Sequence, residues 1–163
     1  MKTKNITTMA LLLTLSIIGA NIKFLSSIAL DSAPAFLASI LISPIAGFWV
    51  GSLGHFATAL TSGFPMGGIA HIVIMFNMGI TMYFFGKCYH IERFTQVFRT
   101  LLAIAIGLLI NVGLSLLCMI PFIGWGVVVT LFVPLTLASL VNIFLAILLY
   151  QFLGKTRSLL NDE

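Results

Sequence analysis

Between Asp31 and Lys87, and again between Arg99 and Lys155, the chain runs for 55 residues without one Asp, Glu, Lys or Arg. Soluble domains carry roughly 25% charged residues, whereas this chain has 7% against 60% apolar. Such stretches belong in a hydrocarbon solvent, where one helical crossing of a ~30 Å core takes roughly 20 residues. Each is therefore long enough for more than one crossing and must turn within itself. The turns are marked by Ser43-Pro44 with Gly47, by the run Gly63-Phe64-Pro65-Met66-Gly67-Gly68, and by Pro121 with Gly124-Trp125-Gly126, all strong breaker chemistry.

Together with the apolar run after Lys4, these breaks predict six transmembrane helices at 8–25, 29–43, 46–62, 68–86, 99–120 and 129–153, in a single domain over 1–163. The fold class is an all-α integral membrane bundle. The second segment is short for a crossing. It either spans or enters and leaves on one side, and both choices leave the loop at 63–67 on the side where the first helix ends. With both termini cytoplasmic, Lys2, Lys4, Lys87, Arg93, Arg99, Lys155 and Arg157 lie inside and Lys23 alone lies outside, which is the asymmetry that orients membrane proteins. Read as a secretory leader, the first segment would leave an odd number of spans; the uncut reading accounts for more of the charges.

Several function classes drop out. Eight scattered basic residues make no stripe for nucleic acid. Cys88 and Cys118 fall on different helices with no C-x-x-C, so neither a disulfide nor a thiolate metal site is expected. There is no G-x-x-x-x-G-K-[ST], no H-E-x-x-H and no buried acidic pair, so the chain is not expected to be an ATPase or another enzyme, nor to hold a metal or a cofactor.

Polar side chains are costly in hydrocarbon, and intramembrane His, Asn and Asp are functional candidates by default. On the third helix Gly51, His55, Thr58 and Ser62 share one face by their i, i+4, i+7, i+11 spacing; His55 serves either packing or ligand contact. On the fifth, Gly107, Asn111, Ser115 and Cys118 repeat the pattern, and packing is the simpler use of that Asn. His71 sits about one turn into the fourth helix on a face with Gly67, Met75 and Met78, while Asn77 points about 120° away. A polar group beside an adaptable Met surface suits a ligand cavity. Asp31 introduces Ser32-Ala33-Pro34 and is placed to cap the second helix or to meet a ligand. Phe64 and Trp125, in outer loops, serve either the interfacial aromatic belt or a planar guest.

The run Ile28-Ala29-Leu30-Asp31-Ser32-Ala33-Pro34-Ala35-Phe36-Leu37-Ala38, followed by Pro44-Ile45-Ala46-Gly47, Gly51-Ser52-Leu53-Gly54-His55 and Gly63-Phe64-Pro65, resembles the substrate-binding S component of energy-coupling factor (ECF) vitamin transporters over essentially the whole chain. The stretch 31–67 is most similar to members assigned to α-ribazole, a precursor of the lower ligand of cobalamin. The resemblance implies a six-helix bundle in a bacterial cell membrane. It captures a vitamin or precursor from outside, docks on a transmembrane coupling subunit carrying two cytoplasmic ATPases, and topples to release its cargo inward. It further implies a pocket drawn from Asp31, His55, Phe64, Met66, His71, Asn77, Trp125 and Asn142. Docking is implied through a small-residue A-x-x-x-A face on the first helix, here Ala10 to Thr14 with Thr in the second position. Thiamine or its pyrimidine precursor, riboflavin and pantothenate remain alternative substrates, and a stand-alone solute or metal carrier using His55 and His71 is the rival class.

Overall fold

The computed structural model describes residues 3–161 other than 22 and 25–27, with the backbone alone at 23, 24, 28, 29 and 155–161. Lys2 lies outside the described residues, and the side chains of Lys23, Lys155 and Arg157 are likewise not described. The elements in order are α1 (Thr3–Gly19), the strands β1 (Lys23–Phe24) and β2 (Ile28–Ala29), α2 (Ala33–Leu41), α3 (Pro44–Thr61), α4 (Gly68–Tyr89), α5 (Gln96–Leu108), a π-helical turn (Leu109–Leu114) and α6 (Ser115–Asn161). β1 and β2 pair antiparallel, Lys23 opposite Ala29 and Phe24 opposite Ile28.

Three boundaries depart from expectation. The first helix stops at Gly19 instead of running to residue 25, because the chain folds straight back on it: Leu30 N–H donates to Gly19 C=O at 3.2 Å, so close that a Cβ on Gly19 would collide with the Leu30 carbonyl. Expected over 29–43, the second helix covers only nine residues, about 14 Å at 1.5 Å per residue, and is too short to cross a membrane by itself. Its approach is the β1–β2 hairpin. Lastly, the loop expected between residues 120 and 129 shrinks to one residue, Gly124, whose φ of 77° and ψ of 159° break α6 into two arms. Only glycine takes that φ without steric cost.

α2 runs to the far end of the bundle. Its far end lies beside the start of α3 and the end of α4: His90 Nε2 is 3.0 Å from Ser39 C=O, and a Cβ on Gly86 would meet both Ser39 and Pro44. Ser43 caps α3, its Oγ accepting from Ala46 N–H at 3.1 Å, with Pro44 in the first turn, the arrangement that satisfies an orphan donor and presets φ.

The helices approach closely through small residues, as bundles in lipid do. Gly47 packs on Ser39, Gly54 on Ser16, and Gly79 on Ser52 and Phe48. One core cluster centres on Phe36, Ile40, Val50, Met82, Phe85 and Ile143, with the Phe36 and Phe85 rings edge to face at 4.8 Å. A second joins Ala70 of α4 to Val112, Leu116, Met119 and Val128. The outside is studded with exposed Leu, Ile, Phe and Trp, among them Leu11, Leu15, Trp49, Phe132 and Phe144, a surface suited to acyl chains rather than water. Two stretches, Gly68–Tyr89 and Gln96–Gly154, are long and apolar enough to cross a membrane.

Candidate functional site

The two clusters leave a cavity of about 280 Å³ between them, at the end of the bundle where α3 ends and α4 begins, close to the lower bound of ~300–1,000 Å³ common for small-molecule pockets. One wall comes from Asp31 and Ser32 ahead of α2, a second from His55 of α3, and a third from Met66, Ile74 and Met78 in and after the turn into α4. Asn111 and Ser115 on the π-turn side and Leu135, Ser139 and Asn142 of α6 close it. Its lining is chiefly apolar, with three methionines, Met66, Met78 and Met119, whose unbranched thioethers adapt to flat guests.

Asp31 is recessed. Ser16 Oγ donates to its backbone carbonyl, and Ser16 in turn rests on Gly54. Gly54 lies seven residues before the end of α3, about 10 Å along the helix axis. The short α2 is the cause: a nine-residue helix anchored at the far end of the bundle cannot carry Asp31 out to the rim. It is the only acidic residue among those lining the cavity, which include no Lys or Arg.

The amides are anchored rather than loose. Asn142 Oδ1 accepts from Ala33 N–H at 2.8 Å, while its Nδ2 donates to Ala138 C=O at 2.9 Å. Ser32, in the N-cap position, makes no side-chain cap bond, so α6 supplies a cap across the bundle, while the Asp31 carboxylate accepts from the backbone N–H groups of Asp31 and Ser32 just ahead of α2. Asn111 Nδ2 donates to Ser139 Oγ at 2.7 Å, and Ser139 Oγ donates to Leu135 C=O. Ser115 lines the cavity, and its Oγ is buried with no partner among the described groups.

The expected site residues divide into three sets. Asp31, His55, Met66 and Asn142 line the cavity. His71 lies directly behind His55, with Nδ1 at 3.3 Å from His55 Nε2, and the Phe64 ring meets His71 edge-on at 5.7 Å. Phe64 is held there by an unusual backbone, φ 52°, with its N–H on Ala59 C=O at 3.0 Å. Asn77 and Trp125 do not reach the cavity. Asn77 is buried on the α4 face with Ala70 and Thr81 and its Nδ2 has no partner among the described groups. Trp125 is 63% exposed, turned outward where α6 resumes after Gly124. Ala10 and Thr14 are both exposed on α1, and Thr14 Oγ1 folds back on Ala10 C=O at 3.0 Å, which removes a free hydroxyl from that face.

Asn111, Ser115, Ser139 and Met119 are cavity residues that the pocket expectation left out. The shared face of Asn111 and Ser115 is visible in their i, i+4 spacing, but packing is its simpler explanation. Ser139 carries no signal of its own, because a single Ser in an apolar helix bonds its own backbone at little cost.

Among the described residues no group of three His, Cys, Asp or Glu converges to hold a metal ion. No curated protein and no solved structure matches the chain. The family described as "ECF transporter, substrate-specific component" matches residues 4–154. An apolar-skinned helical body with a cavity at one end, chiefly apolar and set with a few polar groups, is what such a subunit needs, and the chain belongs to the ECF transporter substrate-specific component family: a membrane subunit that binds a small-molecule substrate for transport and works with an energy-coupling module.

Proposed function

We propose that this subunit captures a vitamin or vitamin precursor, α-ribazole, in the cavity bounded by Asp31, His55, Met66 and Asn142, from the outer side of a bacterial cell membrane. In this reading the chain crosses the membrane six times with both termini cytoplasmic, which keeps seven of the eight Lys and Arg inside. The extended stretch before α2 and α2 together make the second crossing. Docking on the coupling subunit uses the α1 face at Ala10 and Thr14, and the two partner ATPases supply the energy that topples the bundle.

The observation that carries the substrate is the composition of the wall: a carboxylate, an imidazole, two amides and three serine hydroxyls set against Met and Leu, with no Lys or Arg among the lining residues. α-Ribazole is a flat benzimidazole on a ribose. The heterocycle suits the Met-lined slot, and the ribose hydroxyls suit Asp31, Ser115 and the Asn side chains. An anionic vitamin would meet Asp31 with no compensating cation from the lining, an arrangement that costs binding energy.

The test is mass spectrometry of small molecules released from the purified subunit, followed by calorimetric titration of α-ribazole into protein prepared without it. Recovery of α-ribazole, or micromolar or tighter binding of it, is the expected result. Affinity no better than millimolar removes α-ribazole, and uptake into vesicles lacking any ATPase would favour the stand-alone carrier instead.

A further inference from the structure

The contact between His55 and His71 is a constraint on proton positions. Nitrogens 3.3 Å apart share one proton, so one of the two is a donor and the other bare. His71 is 5% exposed and its other nitrogen, Nε2, has no partner among the described groups. His55, in contrast, lines the cavity, and its Nδ1 makes no hydrogen bond among the described groups.

Four proton arrangements satisfy the contact; in one of them a doubly protonated His71 donates from Nδ1, His55 carries its proton on Nδ1, and His71, as when His55 is doubly protonated, keeps an unpaired N–H on Nε2. If a neutral His71 donates from Nδ1, His71 Nε2 is bare, His55 Nε2 accepts, and a neutral His55 carries its proton on Nδ1. If His55 is doubly protonated and donates from Nε2, Nδ1 again bears a proton. Only a neutral His55 protonated on Nε2 leaves Nδ1 bare, and then His71, accepting on Nδ1, buries an N–H on Nε2 with nothing to receive it. A sealed, unpaired N–H is the rare and costly outcome in proteins. We propose that His71, behind the cavity wall, is a positioning residue that sets His55 to present an Nδ1–H donor, and that the guest places a bare heteroaromatic nitrogen or a carbonyl oxygen against it. The ligand half of this inference rests on the cavity being the binding site proposed above; the proton half does not.

Nitrogen-15 NMR of histidine-labelled protein in micelles tests the proton half directly, since the chain has only three histidines, 55, 71 and 90, and His90→Gln simplifies the assignment. Wild type should show a proton-bearing Nδ1 and a bare Nε2 on His55, with Nε2 of His71 bare; a bare Nδ1 on His55 overturns the proposal. His71→Asn keeps an amide donor where Nδ1 stands, whereas His71→Phe keeps only a ring. The phenylalanine variant should release His55 to a mixture of tautomers and weaken α-ribazole binding about tenfold or more, the asparagine variant should stay within about threefold of wild type, and equal losses in the two would overturn the positioning role. An α-ribazole analogue with C–H in place of the bare ring nitrogen should bind wild type about tenfold or more weakly than α-ribazole itself, and equal binding of the two refutes the ligand half. Should wild type bind no α-ribazole, the substrate named above falls and the nitrogen spectra of wild type and both variants decide this proposal.

Discussion

Asn142→Leu is the substitution whose consequence follows most directly from the structure. The side chain is 1% exposed, and its Oδ1 is the acceptor for Ala33 N–H at 2.8 Å, the first donor of α2, for which Ser32 offers no side-chain bond. Leucine keeps the branched skeleton with bulkier methyl groups, so the change opens no space, and any overpacking adds to the polar loss. A buried donor stripped of its partner costs about 1–3 kcal/mol, and side-chain hydrogen bonds within membrane bundles measure about 0.6 on average and about 1.7 at most. The expected loss is therefore about 1–2 kcal/mol, a factor of roughly 5–30 in the folded to unfolded ratio. Titration with a denaturing detergent in mixed micelles, followed by circular dichroism, reads it, with the lipid-facing Val141→Leu as the reference for changes on α6. Because Asp31 and Ser32 immediately precede Ala33, substrate affinity should fall along with stability. If Asn142→Leu matches Val141→Leu to within about 0.3 kcal/mol, less than the weaker of these estimates, the cross-bundle cap does not hold α2 and the argument fails.

Other substitutions probe separate parts of the picture. Asp31→Asn and His55→Ala should each weaken binding of α-ribazole about tenfold or more with unchanged expression, as titration of detergent-solubilised protein would show. Trp125→Ala, at an exposed position outside the cavity, should leave that affinity within about twofold, since surface changes away from specific contacts cost little. Gly79→Ala drives a methyl into Ser52 Oγ and the Phe48 ring and should destabilise by about 1–3 kcal/mol; adding Ser52→Ala should recover part of this, because Ser52 Oγ is buried without a partner among the described groups. Ala10→Trp should abolish copurification with the coupling subunit while substrate binding persists; retained copurification would move the docking face away from α1.

The sequence made legible whatever is chemically expensive in hydrocarbon. Asp31, His55 and Asn142 stand out against their apolar neighbours, and all three line the cavity. The turn at 63–67 was legible from its glycines and proline, and it seats Met66 on the wall and Phe64 on His71. What stayed hidden depends on distance along the fold rather than on residue type. Asp31-Ser32-Ala33-Pro34 marks a helix start near Ala33, but nothing in 29–43 shows what precedes it, the hairpin and the Leu30 to Gly19 bond. Trp125 beside two glycines reads as a loop aromatic; since the break is a single residue, helix geometry resumes at once and carries the ring outward. The partnership of Asn111 with Ser139, 28 residues apart, is written in no local pattern.

The π-helical turn at Leu109–Leu114 has a consequence for length variation. Such a turn holds one residue more than an α-helical path between the same ends, so it absorbs that residue without turning the helix beyond it. Ser115, Met119 and Ile123, which look into the cavity, would keep their facing if a single residue were deleted within that turn. A one-residue deletion elsewhere in α5 would instead turn them by about 100° and exchange the wall of the cavity while the helix remained continuous.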